Sequence, residues 1–495
     1  MHRRPQSRAV SEGQYSSQSR TDDVAALNGD KDRSSRGITS KRTRTKRIKK
    51  DDEDPMIYIL KGLAVVLVVL IIIMLGICAK LFHLKMWPSV KEYFLNPVQV
   101  PPPPEYIKEP LLESLLYKIP HSMSHIGDKS DEYALLRKDF DARLTYDPER
   151  SLAFVKNLRQ PDVEPFENPL SYDIYNCPKI PPEGYPYEWK TMDVVTHWKP
   201  NDVNPPSQIH QGICVFDYRK DYVKALNYRK AELPFVIRGD PEVAQPIERW
   251  HTDDYMAQLL GDEKHRCEYS KSNQFMYYLN RNKDKPPPGW KKPTKMIRIS
   301  YEEWLNKANI TDESKLAPDK PHYYYRLIGC GETDPRGDCD DASSEFLFDE
   351  LTFFQPRPSL YIVEPEKQRG IHCRFGMTGV TAENHFDGSR NMIVVLGGRR
   401  RYVLTHPKDC ENLYLYPKGH PSARHSQIDW NNPDLDEFPL FQRARSNEVI
   451  LQAGDVLYLP QHWFHFIVSL DLNFQCNSRS GKYRGYDEPI RECGF

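Results

Sequence analysis

The most constraining feature of this sequence is a series of short runs rich in β-branched and aromatic residues, spread over the carboxy-terminal half of the chain. The runs read ELPFVIRGD, MIRISYEEWL, HYYYRLIG, SLYIVEP, NMIVVLGGRRRYVLTHP, EVILQAGDVLYLP and FHFIVSLDLNFQCN. Such runs are typical of β-strands, and glycine and proline at regular intervals between them are typical of a sandwich or a barrel. The pattern therefore predicts a mainly β domain.

Two segments of this domain carry side chains that could bind a metal ion. His385 and Asp387 stand two positions apart in a predicted strand, so we expect their side chains on one face. His465 lies in a later strand that is entered through Gly454-Asp455 and Pro460. Two histidines and one carboxylate on one side of a metal leave other positions open and favour non-haem Fe(II). For an isolated histidine in a strand, a structural hydrogen-bonded role is the usual alternative.

Residues 210–480 resemble the JmjC, or cupin-like, family, which includes protein hydroxylases and histone demethylases. The resemblance rests on ordered blocks, namely PFVIRG, the His-x-Asp strand, GGRRRYVLTHP, GDVLYLPQHWFH and SLDLNFQCN. It implies a double-stranded β-helix (jelly-roll, or cupin) domain with accessory helices, and an Fe(II)- and 2-oxoglutarate-dependent dioxygenase activity. It also implies that His385, Asp387 and His465 are the iron ligands, and that His462 lies beside them without binding the metal.

The resemblance also assigns residues to the co-substrate. Asn391 and Asn477 match polar residues near 2-oxoglutarate in related hydroxylases. Many relatives place a lysine fifteen positions after the first ligand to pair with the distal carboxylate, and this chain has Arg400 there. A guanidinium can bind a carboxylate through two parallel hydrogen bonds. Relatives often carry a hydroxyl three positions before the first histidine, where this chain has Ala382; the nearest hydroxyl is on Thr381.

The arginines on either side of Arg400 allow two interpretations. If the strand is regular, Arg399 and Arg401 point to the face opposite Arg400. The alternative is that residues 399–401 form a basic, solvated edge.

Four aromatic residues could line the predicted pocket, and the alternative is that they form ordinary core. They are Trp463, Phe464, Phe466 and Tyr361.

An uncharged apolar segment, GLAVVLVVLIIIMLGICA, occupies residues 62–79 and predicts one membrane-spanning signal-anchor helix. Seven basic residues in residues 41–50 precede it, so the positive-inside rule predicts a type II single-pass protein with a lumenal carboxy-terminal domain, in the endoplasmic reticulum or Golgi. The predicted organisation is a disordered basic cytosolic tail (1–56), the transmembrane helix (57–82), a proline-rich stalk and helical stem (83–204) and the JmjC/cupin-like domain (205–495).

The ten cysteines include no CxxC pair, which disfavours a structural zinc site. In a lumenal domain some of them should be oxidised, and Cys330 with Cys339 form the likeliest short disulfide loop. Nine cysteines follow the apolar segment, so at least one thiol should stay free, while Cys373 and Cys476 are expected to be small buried residues. The sequon at Asn309 is the predicted glycosylation site.

These features together predict a membrane-anchored oxygenase that hydroxylates proteins of the secretory pathway. The alternative is a non-catalytic lumenal domain that binds a metal or a partner; Arg400 and Ala382 favour this alternative, and the complete triad favours the enzyme. Histone demethylation conflicts with a lumenal domain. Basic and acidic residues number 69 each, so the overall charge gives no reason to expect a nucleic-acid partner.

Overall fold

The computed structural model describes residues 147–166, 170–279, 287–330 and 346–495, together with the isolated residues 74 and 76. The predicted tail, almost all of the predicted transmembrane helix and the stalk up to residue 146 lie outside the described residues. Among the residues that are described, no helix has the length and apolar character needed to cross a membrane. The chain forms two units, residues 1–98 and 99–495, and almost every described residue belongs to the second.

Strands make up most of the regular structure in the described part of the second unit. They are β1 (Glu164–Pro165), β2 (Trp189–Lys190), β3 (Gln208–Ile209), β4 (Val215–Asp217), β5 (Phe235–Arg238), β6 (His265–Ser270), β7 (Gln274–Phe275), β8 (Lys295–Ile299), β9 (His322–Gly329), β10 (Gln368–Gly376), β11 (Thr381–Phe386), β12 (Asn391–Gly397), β13 (Arg399–Thr405), β14 (Arg445–Gln452), β15 (Val456–Leu459), β16 (Phe464–Ser469) and β17 (Asn473–Ser480). The helices are α1 (Pro148–Leu158), α2 (Thr191–His197), α3 (Tyr222–Lys230), α4 (Pro241–Trp250), α5 (Tyr255–Leu260), α6 (Tyr301–Ala308), α7 (Glu313–Leu316), α8 (Leu347–Glu350) and α9 (Asp487–Glu492).

Two sheets face each other across the core of the domain. The larger sheet has nine strands in the order β4-β5-β15-β12-β17-β10-β9-β6-β8, and the smaller has six in the order β2-β14-β13-β16-β11-β7. The last eight strands divide between them, with β10, β12, β15 and β17 in the larger sheet and β11, β13, β14 and β16 in the smaller, all in antiparallel pairs. This arrangement confirms the predicted mainly β fold with accessory helices.

A tight turn at Gly397 and Gly398 moves the chain from β12 in the larger sheet to β13 in the smaller sheet. Gly398 has a φ of +66°, and a Cβ atom on it would lie 2.3 Å from the carbonyl oxygen of Leu472. Only glycine fits this approach without strain. The turn delivers Arg400 into the smaller sheet two residues later.

An apolar cluster fills part of the space between the sheets and fixes their separation. Its members come from both sheets and include Ile393 and Leu457 on the larger sheet and Leu404, Leu451 and Ile467 on the smaller. A larger cluster lies on the outer face of the nine-stranded sheet beneath α4, α5 and α6, and a third covers the outer face of the six-stranded sheet. The remainder of the interior, beside the first cluster, carries polar side chains.

Two of the predicted β runs are not strands throughout. In MIRISYEEWL the strand β8 stops at Ile299, because Ser300 and Glu303 form a capping box that starts helix α6. In SLYIVEP the Ser359 hydroxyl accepts hydrogen bonds from the amides of Tyr361 and Ile362, and this local turn replaces a sheet ladder. Both segments contain buried apolar residues, and the sequence pattern detects this burial without distinguishing a strand from a helix or a turn.

Residues of the predicted stem pack directly on the domain. Helix α1 contacts α4, and β2 lengthens the six-stranded sheet by pairing Trp189 and Lys190 with β14. Arg159, just after α1, donates hydrogen bonds to the carboxylate of Asp455 and the carbonyl of Ala453. The folded unit therefore includes residues from 147 onward.

The described cysteines are mostly oxidised. Disulfides join Cys177 to Cys214, Cys373 to Cys476 and Cys410 to Cys493, while Cys267 is free and buried, as expected for one leftover thiol. Cys373 and Cys476 are buried, as expected, but they are not ordinary unpaired core residues, because they lie directly opposite each other on β10 and β17 and form a disulfide. Cys330 is disulfide-bonded, but Cys339 lies outside the described residues, so their pairing stays a prediction.

Candidate metal and co-substrate site

The pairing of β11 with β16 brings the two predicted histidine ligands together. His385 lies directly opposite His465 in this antiparallel pair, and Asp387 follows the end of β11. One potential ligand atom from each of the three side chains lies within 4.8 Å of the other two. The structure thus brings the three side chains of the predicted triad close together between the sheets.

A β-bulge in β11 sets which side chains reach this point. The register with β16 shifts between Ala382 and His385, so that β11 holds one extra residue there. As a result Ala382, which packs against the interior apolar cluster, and His385 both face inward although they are three residues apart. Thr381 is not brought to the site. Its hydroxyl instead donates a hydrogen bond to the carbonyl of Gly379 and accepts one from the side-chain amide of Asn273.

Each histidine is oriented through its Nδ1 atom. Nδ1 of His385 lies 2.7 Å from the carbonyl oxygen of Glu383, and Nδ1 of His465 lies 3.1 Å from that of Trp463. A carbonyl can only accept, so Nδ1 carries the proton in both rings and Nε2 is left to bind a metal. Burial lowers the pKa of both imidazoles, most strongly that of His385, which keeps them in the neutral form that a metal requires.

Asp387 is held by side chains from two strands of the larger sheet. Its Oδ2 atom accepts hydrogen bonds from Arg479 at 2.7 Å and from Asn391 at 3.2 Å. Burial alone would raise the pKa of this carboxyl, but the Arg479 guanidinium, the two histidines and Arg424 together outweigh burial and hold the pKa well below its usual range. Asn477 in turn donates to Asn391 at 2.9 Å. The two asparagines, which were expected near the co-substrate, therefore support the ionised carboxylate of Asp387, and their contact with a co-substrate stays a prediction.

Arg400 lies fully buried between the sheets. Its Nη1 atom donates to the Tyr324 hydroxyl at 2.9 Å and to Gln475 Oε1 at 2.8 Å, its Nη2 atom donates to the carbonyl of Arg374 at 3.0 Å, and its Nε atom donates to Asn473. These bonds use four of the five N–H groups of a guanidinium, and one on Nη2 is left. No acidic side chain among the described residues pairs with Arg400, so its charge is free to meet an anion.

The neighbouring arginines confirm the predicted alternation of the strand. Arg399 forms an ion pair with Asp471, and Arg401 forms a buried ion pair with Glu448 on the outer side of the sheet. A solvated basic edge is therefore wrong for this strand, because Arg400 and Arg401 are both buried.

One face of β17 connects the two ends of the site. Alternate residues point the same way along a strand. Asn473 and Gln475 bind Arg400, while Asn477 and Arg479 act on Asp387, directly or through Asn391. Of these four residues only Asn477 was predicted from the sequence; a strict two-residue period from Asn477 would have indicated the others.

Other predicted residues lie away from the triad. His462 is outside it, as expected, and its backbone amide donates to the carbonyl of Asp387. Trp463 belongs to the apolar cluster between the sheets, but Phe464 and Phe466 pack on the outer face of the smaller sheet. Tyr361 packs outside the larger sheet and donates its hydroxyl hydrogen to Asp240. Most of these aromatic residues are therefore ordinary core.

A third histidine beside the triad was missed from the sequence. His425 forms an isolated β-bridge with His385, and the two rings are stacked with their centroids 4.9 Å apart. Burial lowers the pKa of His425 to about 4, so the ring is neutral. The adjacent Arg424 has its guanidinium carbon 5.9 Å from the ring centre of Phe386. Both residues come from an irregular loop, where periodicity gives no signal.

A comparison with known protein families identifies the family of this domain. A model described as the cupin-like domain matches residues 224–478, slightly more than half of the chain. The chain belongs to the cupin-like domain family.

Several curated proteins are similar to this cupin-like domain. Mouse (Mus musculus) tRNA wybutosine-synthesizing protein 5 is 27% identical over 246 residues, covering 49% of this chain and 70% of that protein. JmjC domain-containing protein D of Dictyostelium discoideum is 35% identical over 104 residues, covering 21% and 23% of the two chains. Lysine-specific demethylase 8 of Xenopus tropicalis is 34% identical over 111 residues, covering 22% and 24%.

JmjC members of the cupin-like family typically use Fe(II) and 2-oxoglutarate. The donor set of this chain fits such a metal: two neutral imidazoles and one ionised carboxylate come together, and three protein ligands of this kind leave further coordination positions of the metal for other groups. Arg400, with a buried positive charge and a free N–H group, fits the carboxylate of an anionic co-substrate.

Proposed function

We propose that this cupin-like domain is an Fe(II)- and 2-oxoglutarate-dependent oxygenase that hydroxylates proteins in an oxidising, lumenal compartment. The observation that carries the proposal is the convergence of His385, Asp387 and His465, each already oriented by hydrogen bonds from the surrounding chain. A histidine that served only the core would not need a second histidine and an ionised carboxylate within reach of its free nitrogen.

The protein and its cofactors divide the chemistry. When bound, Fe(II) and 2-oxoglutarate would supply the chemistry that activates dioxygen, so that one oxygen atom hydroxylates a C–H bond and the other oxidises 2-oxoglutarate to succinate and carbon dioxide. The chain would hold the metal through Nε2 of His385 and His465 and one oxygen of Asp387, whose ionised form Arg479 favours by its hydrogen bond. Arg400 binds the distal carboxylate of the co-substrate, and the apolar cluster between the sheets keeps water away from one side of the pocket.

The compartment is proposed from the cysteines and from the amino-terminal sequence. Three disulfides among the described residues are typical of a protein that folds in an oxidising compartment. Asn309 of the sequon is exposed at the end of helix α6, where a glycan can be attached. With the predicted signal anchor, these features support a type II single-pass protein of the endoplasmic reticulum or Golgi whose substrates are proteins in transit.

The names of the relatives do not identify a substrate for this chain. Their names refer to synthesis of wybutosine in tRNA and to demethylation of lysine. A protein substrate is proposed here because a lumenal domain meets secretory proteins and because the equal numbers of basic and acidic residues, 69 each, give no general affinity for nucleic acid.

The proposal is tested by anaerobic titration of the full-length protein with Fe(II) and then with 2-oxoglutarate, following the visible charge-transfer band of the chelate. We expect a band in the native protein and none with Asp387→Ala, which removes a metal ligand, or with Arg400→Ala, which removes the co-substrate anchor. Arg399→Ala, on the opposite face, is the control and should keep the band. Bound iron without any band would instead support the non-catalytic, metal-binding alternative.

A further inference from the structure

A second arginine of the interior has no assigned role. Arg374 lies in the middle of β10, directly opposite Gln475 on β17 and Arg326 on β9. Its side chain therefore stands on the same face as Gln475, the residue that binds the Arg400 guanidinium. The carbonyl of Arg374 also accepts a hydrogen bond from Arg400. Arg374 thus belongs to the wall of the co-substrate pocket.

The Arg374 guanidinium lacks an acidic partner. Its one side-chain hydrogen bond among the described residues runs to the carbonyl of Cys373 at 3.5 Å, the outer limit for such a bond. Glu268, a carboxylate whose charge acts on Arg374, is engaged by Arg326 at 2.7 Å. Arg401, in contrast, is paired with Glu448. Arg374 and Arg400 are thus two neighbouring inward-facing arginines that form no ion pair among the described residues.

This arrangement costs stability unless a ligand compensates it. Burial, together with the positive charge of Arg326, lowers the pKa of Arg374 to about 9. Because an arginine stays protonated at neutral pH, the lowered pKa reports an unfavourable environment for its charge. Arg374 is only partly exposed, and a partly buried charge without an acidic partner is a candidate for recognising a ligand of opposite charge.

The position of Arg374 shows which part of a ligand it would meet. Arg374 lies opposite Gln475, which binds Arg400, whereas the pair His372 and Asn477 lies two residues nearer to Asp387. A linear anion that extends from the triad to Arg400 would therefore have its far end beside Arg374. We propose that Arg374 is a second guanidinium for the distal carboxylate of the co-substrate, and that Arg374 and Arg400 together make the pocket selective for a dicarboxylate 2-oxo acid.

This inference rests on the proposed function, and it is tested by binding rather than by turnover. Full-length protein loaded with Mn(II) is titrated calorimetrically with 2-oxoglutarate and with 2-oxobutyrate, which has the same metal-binding end but no distal carboxylate. Arg374→Met should weaken 2-oxoglutarate binding by roughly 10- to 100-fold, the usual effect of one lost charge-assisted hydrogen bond, and leave 2-oxobutyrate binding nearly unchanged. Arg374→Lys keeps the charge and should fall between Arg374→Met and the native protein.

A stability measurement separates this role from a structural one. Removal of a partly buried charge that has no acidic partner should leave the melting temperature of the ligand-free Arg374→Met protein equal to that of the native protein or above it. Arg401→Met is the matched control: it removes a paired buried arginine, so it should lower the melting temperature without changing either affinity.

The outcomes distinguish this inference from the proposed function. Unchanged 2-oxoglutarate affinity in Arg374→Met, equal losses for both 2-oxo acids, or a variant that is destabilised or unfolded would overturn the role of Arg374 and leave the proposed function standing. If the native protein binds Mn(II) but no 2-oxoglutarate, the proposed function itself fails, and the role of Arg374 fails with it.

Discussion

The buried ion pair between Arg401 and Glu448 gives a prediction that can be worked out from the structure. Nε of Arg401 lies 2.6 Å from Glu448 Oε2, and both side chains are almost fully buried. Arg401 also donates to the carbonyls of Trp198 and Val194, so it joins the smaller sheet to helix α2. Arg401→Met leaves an uncompensated carboxylate in the core, and we expect the free energy of unfolding to fall by about 3–5 kcal/mol at pH 7.

The pH dependence of this loss follows from the carboxyl group. In the native protein, burial alone would raise the pKa of Glu448, but Arg401 and the hydrogen bonds from His210 together outweigh burial and hold the pKa below its usual range. Glu448 therefore stabilises the fold above its unfolded pKa of about 4.3, and this contribution is lost as the pH falls. Without Arg401, burial raises the folded pKa, so protonation at low pH relieves the unpaired charge. The difference between the two proteins should thus shrink below about pH 5.

The assay is urea unfolding followed by tryptophan fluorescence, since Trp198 lies against the Arg401 guanidinium with its ring centre 4.1 Å away. Glu448→Gln in the Arg401→Met background should recover a large part of the lost stability, because it removes the buried charge. A loss below about 1 kcal/mol at pH 7, or a loss that neither low pH nor Glu448→Gln relieves, would refute the reasoning.

Three further predictions concern the site, the disulfides and the compartment. Asn391→Ala removes a hydrogen bond to Asp387 and should weaken metal affinity by about 10- to 100-fold in a competition titration with a chelator; an unchanged affinity would show that Asn391 does not support the ligand. Replacement of Cys373 and Cys476 together by alanine should lower the free energy of unfolding by about 2–5 kcal/mol in urea, and a reductant should then have less effect on the variant than on the native protein. Protein expressed in secretory cells should shift in gel mobility on treatment with a glycosidase, and Asn309→Gln should abolish the shift; a glycan-free native protein would argue against the lumenal orientation.

Sequence patterns were enough for much of the fold because the central strands are short, apolar and separated by turn residues. The histidine and aspartate positions also followed, since a two-residue period and ordered family blocks locate them along the chain. Segments such as SYEEWL were misjudged because one capping serine decides between a strand and a helix.

What could not be predicted depends on the register between strands that are distant in the chain. Cys373 and Cys476 are 103 residues apart, and only the pairing of β10 with β17 places them opposite each other. The same pairing sets Arg374 beside Gln475, and no local pattern in β10 indicates it. The bulge that turns Ala382 inward and Thr381 away is likewise a property of β11 and β16 together.

The most direct test of the central claim is an anaerobic crystal structure of the protein with Fe(II) and 2-oxoglutarate, using anomalous diffraction at the iron edge. We expect one anomalous peak at the point shared by His385, Asp387 and His465, with the distal carboxylate of the co-substrate against Arg400. An iron peak elsewhere, or no peak at the triad, would contradict the account.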